Sequence, residues 1–88
     1  MNPLQIIDGT KAASFDGLFL EVSGVNASNT QRIALNRIKN VGVAAAGEEW
    51  MFLIKTLNGG FSLMISAEKK KEWETLTEVI QEAQRHLK

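Results

Sequence analysis

The sequence contains no cysteine and only one histidine, and each scarcity excludes a class of site. Without cysteine the chain has no disulfide scaffold, no thiolate metal ligand and no thiol nucleophile, which fits a reducing cytoplasm. His86 cannot form a histidine-based metal site alone. With Glu82 four residues before it, the chain offers two ligands where a structural zinc site requires four. We therefore expect no metal site and no cofactor.

Neither sign of charge is in excess, because ten basic residues balance ten acidic residues. Long-range attraction to nucleic acid or to an anionic membrane is therefore not built into the composition, and any such contact must be local. The N-terminal segment lacks a basic region followed by a sustained apolar run, and no apolar stretch is long enough to span a bilayer. These features predict a soluble cytoplasmic protein without a transmembrane segment or a nucleic-acid partner.

The pattern also lacks a catalytic constellation. A nucleophilic triad needs a base that is oriented by a third group, and no serine occurs in a G-x-S-x-G context. General acid–base chemistry needs two carboxylates that converge in one pocket. Glu74, Glu78 and Glu82 instead form a row of like charge at helical spacing, which is typical of a solvated helix face. We expect no catalytic residue and no enzymatic activity.

The length of 88 residues predicts one domain, 1–88, with a single modest core. The segment 1–13 has the weakest pattern, because Pro3 and Gly9 limit regular structure, although its apolar residues could form a short strand. Apolar and polar residues alternate from Phe15 to Ser23, which predicts a half-buried strand, with a turn at Asp16-Gly17 just before its regular part. The inward face of that strand is predicted to consist of Leu18, Leu20 and Val22. The small and polar segment Gly24–Thr30 predicts a loop.

The spacing of apolar residues changes within Gln31–Val43. Steps of two residues at both ends predict a strand, a tight bend at Asn36–Asn40 with Ile38 turned inward, and a second strand that begins at Val41. A helix is the competing interpretation, because part of the segment also fits a period of 3.6 residues. The strands are the simpler account.

A β-hairpin is the clearest strand prediction. Trp50–Thr56 is apolar on both alternating faces, as expected for a central strand that is covered on two sides. Ala44–Gly47 before it predicts a turn. Asn58-Gly59-Gly60 tolerates positive φ, so Phe61–Ile65 should fold back antiparallel. These glycines lack the strand-to-helix context and the lysine of a phosphate-binding loop.

A long amphipathic helix is predicted after Ser66, a suitable N-cap, with Glu68 in its first turn. No glycine or proline interrupts it. The predicted buried stripe consists of Trp73, Leu76, Val79, Ile80, Ala83 and Leu87. The predicted solvent face consists of Glu74, Glu78, Gln81, Glu82 and Arg85.

This order of elements, a meander of short antiparallel strands and one C-terminal helix with a tryptophan in its second turn, resembles the pleckstrin-homology-like (PH-like) superfold. The closest stretch is FSLMISAE-KKKE-WETL from Phe61 to Leu76, which is similar to the family's last strand, polar connection and helix. Gln31–Val43 resembles the bent strand of small bacterial members. The resemblance implies an α+β fold with roughly five or six antiparallel strands, curved into a partial barrel and capped by the C-terminal helix.

The departures from this family concern its ligand site. Phosphoinositide-binding members have clustered lysines and arginines around the loop between the first two strands. The candidate loop Gly24–Thr30 has none, and Lys11 and Arg32 stand alone at its flanks. That site is not expected here. The chain is also short for a complete barrel of this family, so a strand or two could be missing and a sheet edge could lie open.

One charged cluster is not explained by helix stability. Lys69, Lys70 and Lys71 place three cations in the first turns of the helix, where they oppose its macrodipole. The functional interpretation is an anion-binding site for a lipid headgroup or a phosphate, with a contribution from Lys55. The alternative is a solubility patch that is balanced by neighbouring glutamates.

Two functional hypotheses follow. An open sheet edge presents unpaired backbone groups that can pair with another strand. We therefore expect a non-enzymatic protein-interaction or self-association module, whose partner is another protein or a second copy in a homo-oligomer. The alternative is peripheral membrane or anionic-ligand binding through the lysine cluster.

Overall fold

The computed structural model describes residues 4–26 and 29–87, which form two antiparallel sheets and one C-terminal helix. The α+β class is therefore confirmed. The first sheet contains β1 (Leu4–Asp8), β2 (Lys11–Phe15), β3 (Phe19–Asn26) and β4 (Asn29–Ala34). The second contains β5 (Ile38–Ala46), β6 (Glu49–Thr56) and β7 (Gly59–Ile65), and the helix is α1 (Lys70–Arg85). The described residues contain seven strands, more than the five or six predicted.

The additional strands come from the segment with the weakest sequence pattern. β1 and β2 pair as a hairpin from Leu4↔Phe15 to Asp8↔Lys11. Gly9, with φ of 64°, lies in the two-residue turn and supplies the left-handed conformation there. Gly9 thus joins two strands instead of preventing them. Pro3 lies outside the described residues.

The turn predicted at Asp16-Gly17 is confirmed, and the strand after it, β3, begins only at Phe19. The Asp16 carboxylate accepts hydrogen bonds from the backbone N–H groups of Leu18 and Phe19, both at 2.8 Å. Leu18 is therefore held in the turn, with 68% of its surface exposed, and its predicted inward position was wrong. Leu20 and Val22 are buried, as predicted.

The predicted loop Gly24–Thr30 was also wrong over most of its described length. β3 continues to Asn26 and β4 begins at Asn29, while residues 27–28 lie outside the described part of the chain. Gly24 has φ of 87° and marks a shift in register between the two strands. The glycine therefore indicates a β-bulge, which small and polar residues do not distinguish from a loop.

A bend within Gln31–Val43 is confirmed and the helical alternative was wrong, but the bend is shorter than the predicted Asn36–Asn40 and the second strand begins at Ile38 instead of Val41. A single 3-10 turn, Leu35–Arg37, separates β4 from β5, and Ile38 is buried at the start of β5. The turn predicted at Ala44–Gly47 comes later. β5 continues to Ala46 because its alanines pair with the start of β6.

The hairpin of β6 and β7 is confirmed, with Thr56↔Gly59 as the pair next to its two-residue turn. A Cβ atom on Gly60 would lie 2.4 Å from the carbonyl oxygen of Ile54, so the two strands approach each other closely here. β6 is the central strand of its sheet, and Phe52 is buried on its inner side. Leu53 on the outer side is 39% exposed, so the prediction that both faces are covered was wrong for the isolated chain.

The helix packs against the second sheet through its predicted apolar stripe. Ser66 is confirmed as a cap, because its hydroxyl accepts from the backbone N–H of Lys69 at 3.2 Å, and a short 3-10 turn leads into α1. Trp73, Leu76 and Ile80 are completely buried, as predicted. Leu87 lies beyond the end of α1 and is 47% exposed, so its predicted burial was wrong.

The core lies between the inner faces of the two sheets and the helix. The rings of Phe52 and Trp73 pack with their centroids 5.0 Å apart. Asp8 at the end of β1 accepts hydrogen bonds from the Ser66 backbone N–H at 2.9 Å and from the Trp73 indole N–H at 3.1 Å. One carboxylate thus connects the first strand to the beginning of the last helix.

Candidate interaction surfaces

The structure divides the predicted anion-binding residues between two places. Lys69, Lys70 and Lys71 lie where α1 begins, and Lys70 contacts Trp50 at the start of β6. Lys55 lies five residues further along β6, which corresponds to about 17 Å of extended strand. Its side chain also projects from the outer face of the sheet, whereas Trp50 belongs to the inner face. Lys55 is therefore not brought together with the other three lysines.

Two of the three clustered lysines have partners within the domain. The Lys69 ammonium lies 3.2 Å from Glu72, and the Lys70 ammonium lies 3.7 Å from Glu74. Lys70 also lies 4.0 Å from the centroid of the Trp50 ring, a cation–π contact. Lys71 is exposed, and in the described part of the chain its side chain forms no ion pair. The cluster therefore presents less free positive charge than its sequence indicates.

The remaining polar residues near the end of α1 form local contacts. Glu82 accepts from Arg85 at 2.6 Å and lies 3.3 Å from the Nε2 atom of His86, all on the exposed surface. Within residues 4–26 and 29–87, no three histidine or acidic side chains are grouped so that they could bind a metal ion. Over the same residues, no helix has the length and apolar character needed to cross a membrane.

Two glutamine side chains of the helix cover one end of the β5 edge. Gln81 donates to the Val41 carbonyl at 3.3 Å, and Gln84 donates to the Ile38 carbonyl at 2.8 Å. Both carbonyls point away from β6, so the helix occupies the positions where a neighbouring strand would bind. The sequence pattern placed Gln81 on the solvent face, and this was wrong because its amide reaches the sheet edge.

The rest of the β5 edge is open. In an antiparallel ladder, alternate residues direct their backbone groups to opposite sides. The Val41 carbonyl points away from β6, toward Gln81. By this alternation, the N–H and C=O groups of Val43 and Ala45 also point away from β6. Among the described residues, no hydrogen bond from another element reaches these four groups. The edge from Val41 to Ala46 also contains no charged residue and no proline, the usual protection of an edge strand.

The edge of β7 faces the first sheet across two clefts. Its first half shares a cleft of about 220 Å³ with β4, lined among others by Ile33 and Phe61. Its second half borders another cleft with the β1–β2 turn, lined by Thr10 and Met64 among others. Both halves of this edge therefore face the first sheet.

The outer face of the second sheet, defined as the surface opposite the core, is mostly apolar. The cross-strand register forms two rows on it. One row consists of Ala44, Met51 and Met64. The other consists of Gly42, Leu53 and Ser62. On the outer face of the first sheet, apolar residues such as Ile7 and Phe19 lie beside one row that is entirely polar. That row is Gln5, Ser14, Glu21 and Arg32, with Glu21 and Arg32 forming an ion pair at 3.6 Å.

Comparison of this chain with protein-family models, with curated proteins and with solved structures found no match. The PH-like resemblance therefore stays a prediction from the residues that suggest it. The surfaces described above are the basis on which a function can be argued.

Proposed function

We propose that this chain is a non-enzymatic protein-interaction module of a small PH-like fold, whose strands curve into a partial barrel capped by α1. It binds an extended segment of another protein, or of a second copy, along the open part of the β5 edge. The observation that carries this proposal concerns the backbone groups of Val43 and Ala45, beyond the two positions covered by the helix, which have no hydrogen-bond partner within residues 4–26 and 29–87.

The chemistry of the edge suits an added strand. Gly42 and Ala44 to Ala46 have little or no side chain, so a second backbone can approach closely. The four unpaired groups each contribute about 0.5–1.5 kcal/mol when they form a hydrogen bond. Their sum is on the order of 2–6 kcal/mol, so binding through the backbone alone is weak and side-chain contacts must supply the remaining affinity and the specificity.

The order of the elements supports the PH-like part of the proposal. All described strand pairings are antiparallel and join consecutive strands, as in a meander. The last strand, β7, leads through a short polar connection into a helix whose tryptophan, Trp73, is completely buried. These are the features on which the resemblance was based.

The variant Ala45→Pro tests whether extended peptides bind along the β5 edge. Ala45→Pro removes an outward backbone N–H and leaves the ladder with β6 in place, since proline is tolerated where the missing N–H would face solvent. We expect peptides selected from a displayed library of extended segments to bind the wild type at least ten times more tightly than the variant, about 1.4 kcal/mol. Isothermal titration with each selected peptide measures the difference.

Leu57→Glu is the matched control, because Leu57 is 62% exposed in the β6–β7 turn and lies away from the edge. Selected peptides should bind this variant as they bind the wild type. A set of selected peptides that binds the wild type and Ala45→Pro with equal affinity would count against the edge as the binding site.

The alternative function, binding of an anionic lipid headgroup through Lys69, Lys70 and Lys71, stays a prediction with its own test. Each lysine near an anionic surface contributes about 1 kcal/mol. If the lysines bind lipid, a triple glutamine variant should bind vesicles of phosphatidylcholine and phosphatidylserine far more weakly than the wild type at low salt. Lys55→Gln is the control, because Lys55 lies elsewhere. Equal vesicle binding by the wild type and the triple variant would exclude this alternative.

A further inference from the structure

The outer face of the second sheet has the composition of a buried surface although the isolated chain leaves it uncovered. Met51 and Leu53 form its central ridge along β6, and small residues of β5 flank that ridge. A shallow concavity of about 400 Å³ adjoins Leu53 and is bordered by Gly42 and Ser62. The outer face of the first sheet is mixed, because the Glu21–Arg32 ion pair lies beside Phe19 and Ile7. The row of Ala44, Met51 and Met64, in contrast, is apolar across all three strands of the second sheet. This row indicates that the second sheet has a partner on this side.

The sequence of β6 supports the same conclusion. A strand that is apolar on both faces is typical of a sheet that is covered on both sides. The core covers only the side of Phe52 and Ile54. On the other side, no element of the described part of the chain covers the apolar residues.

The positions of two charged residues on the outer face indicate that its partner is a second copy of the chain and fix the orientation of that copy. Glu49 and Lys55 both project from the outer face, at opposite ends of β6. Met51 and Leu53 lie between them, symmetrically about Phe52. A copy rotated by a two-fold axis through this midpoint places its Glu49 opposite Lys55 and its Met51 opposite Leu53. A parallel arrangement would instead oppose like charges.

We infer that two copies of this chain associate through the outer faces of their second sheets, with the β6 strands antiparallel and Glu49 of each copy facing Lys55 of the other. Two sheets packed in this way lie about 10 Å apart, a separation that the long glutamate and lysine side chains can bridge. This inference rests on the self-association part of the proposed function and adds a second contact surface, the sheet face, to the β5 edge.

The size of the face determines the strength of the dimer. Three strands spaced about 4.8 Å apart and about 20 Å long present roughly 300 Å² per copy. The total is below the area of about 1,000 Å² that is usual for a stable interface. We therefore expect a weak, reversible dimer with a dissociation constant on the order of 100 μM.

Sedimentation equilibrium of the full chain from about 10 μM to 1 mM tests the inference at low salt. The wild type should dimerise, and Leu53→Glu should raise the dissociation constant at least tenfold because it places two carboxylates in the centre of the interface. Lys55→Glu and Glu49→Lys should each weaken the dimer, and the double variant should restore it. Leu57→Glu, with an equally apolar but distant site, should leave it unchanged.

Three results would overturn the inference. They are a wild-type chain that stays monomeric at the highest concentration, a dimer that Leu53→Glu does not weaken, and a double charge reversal that fails to restore association. A dimer that is lost in Ala45→Pro and retained in Leu53→Glu would be an edge dimer, which supports the proposed function and excludes this face. Circular dichroism of each variant checks that it is folded. If Leu53→Glu does not fold, the charge-reversal variants at Glu49 and Lys55 still test the inference, because both residues are exposed.

Discussion

Replacing Trp73 with alanine is expected to lower the free energy of unfolding by about 3–5 kcal/mol. The side chain is completely buried, packs on Phe52 with ring centroids 5.0 Å apart, and donates its indole N–H to Asp8. Its removal leaves a cavity between the helix and the second sheet. Because domains of this size are stable by only about 5–15 kcal/mol, the variant should be partly unfolded at room temperature. Urea unfolding followed by far-ultraviolet circular dichroism measures the loss.

Trp50→Ala is the control for this experiment. Trp50 is half-buried, and one face of its ring is covered by the cation of Lys70, which is itself half-buried. Its removal should cost clearly less than the removal of Trp73. If the two variants lose equal stability, the packing of Trp73 is not the main link between the helix and the sheets.

Asp8→Ala is expected to lower the free energy of unfolding by about 1–3 kcal/mol, because the indole N–H of buried Trp73 and the backbone N–H of Ser66 both lose their acceptor. Asp8→Asn keeps one carboxamide oxygen and should cost less than the alanine variant. Urea titrations at neutral pH compare the two. An alanine variant as stable as the wild type would show that water replaces the carboxylate without loss.

The same carboxylate predicts sensitivity to acid. Burial raises the pKa of Asp8, but the hydrogen bonds from Ser66 and Trp73 and the charge of Lys11 outweigh it, so the pKa in the folded state is below the ordinary value of 3.8. A lowered pKa stabilises the fold at every pH above the unfolded value. That contribution is lost as the pH falls from about 4 through the folded-state pKa.

The wild type should therefore lose more stability than Asp8→Asn between neutral pH and about pH 3. Asp16 adds acid sensitivity of the same sign to both proteins, because backbone N–H groups of Phe19 and Leu18 lower its pKa. Parallel acid titrations of thermal unfolding separate the two carboxylates. Identical pH profiles for the wild type and Asp8→Asn would contradict the assignment to Asp8.

The features that the sequence predicted correctly depend on local chemistry. The cap at Ser66 and the buried positions of Trp73, Leu76 and Ile80 follow from residues within a few helical turns. The strand predictions were wrong where the same residue types occur in two kinds of local structure or where a strand is very short. Gly24 is equally suited to a loop and to a bulge, and the strands of the N-terminal hairpin are too short for their alternation to stand out.

The candidate surfaces depend on register and strand order, which a single sequence does not specify. Lys55 was grouped with the other lysines by charge alone, although a strand of extended backbone separates them. The open edge at Val43 and Ala45 becomes visible only when β5 is known to be outermost and Gln81 is known to reach it. The outer face can be recognised in the sequence, since β6 is apolar on both sides. The sequence analysis interprets this pattern as a central strand that the same chain covers on both faces.

The connection from Asp8 to the helix start has a consequence for how the domain forms. Every described strand pairing joins neighbours in the chain, so both sheets can be assembled by closing short loops. The hydrogen bonds that Asp8 accepts from Ser66 and Trp73 span 58 and 65 residues, so they close a loop of most of the chain. Loop-closure entropy grows with length, so the chain loses much of its remaining freedom when these segments meet. The Asp8 carboxylate and the packing of Trp73 together stabilise this closure.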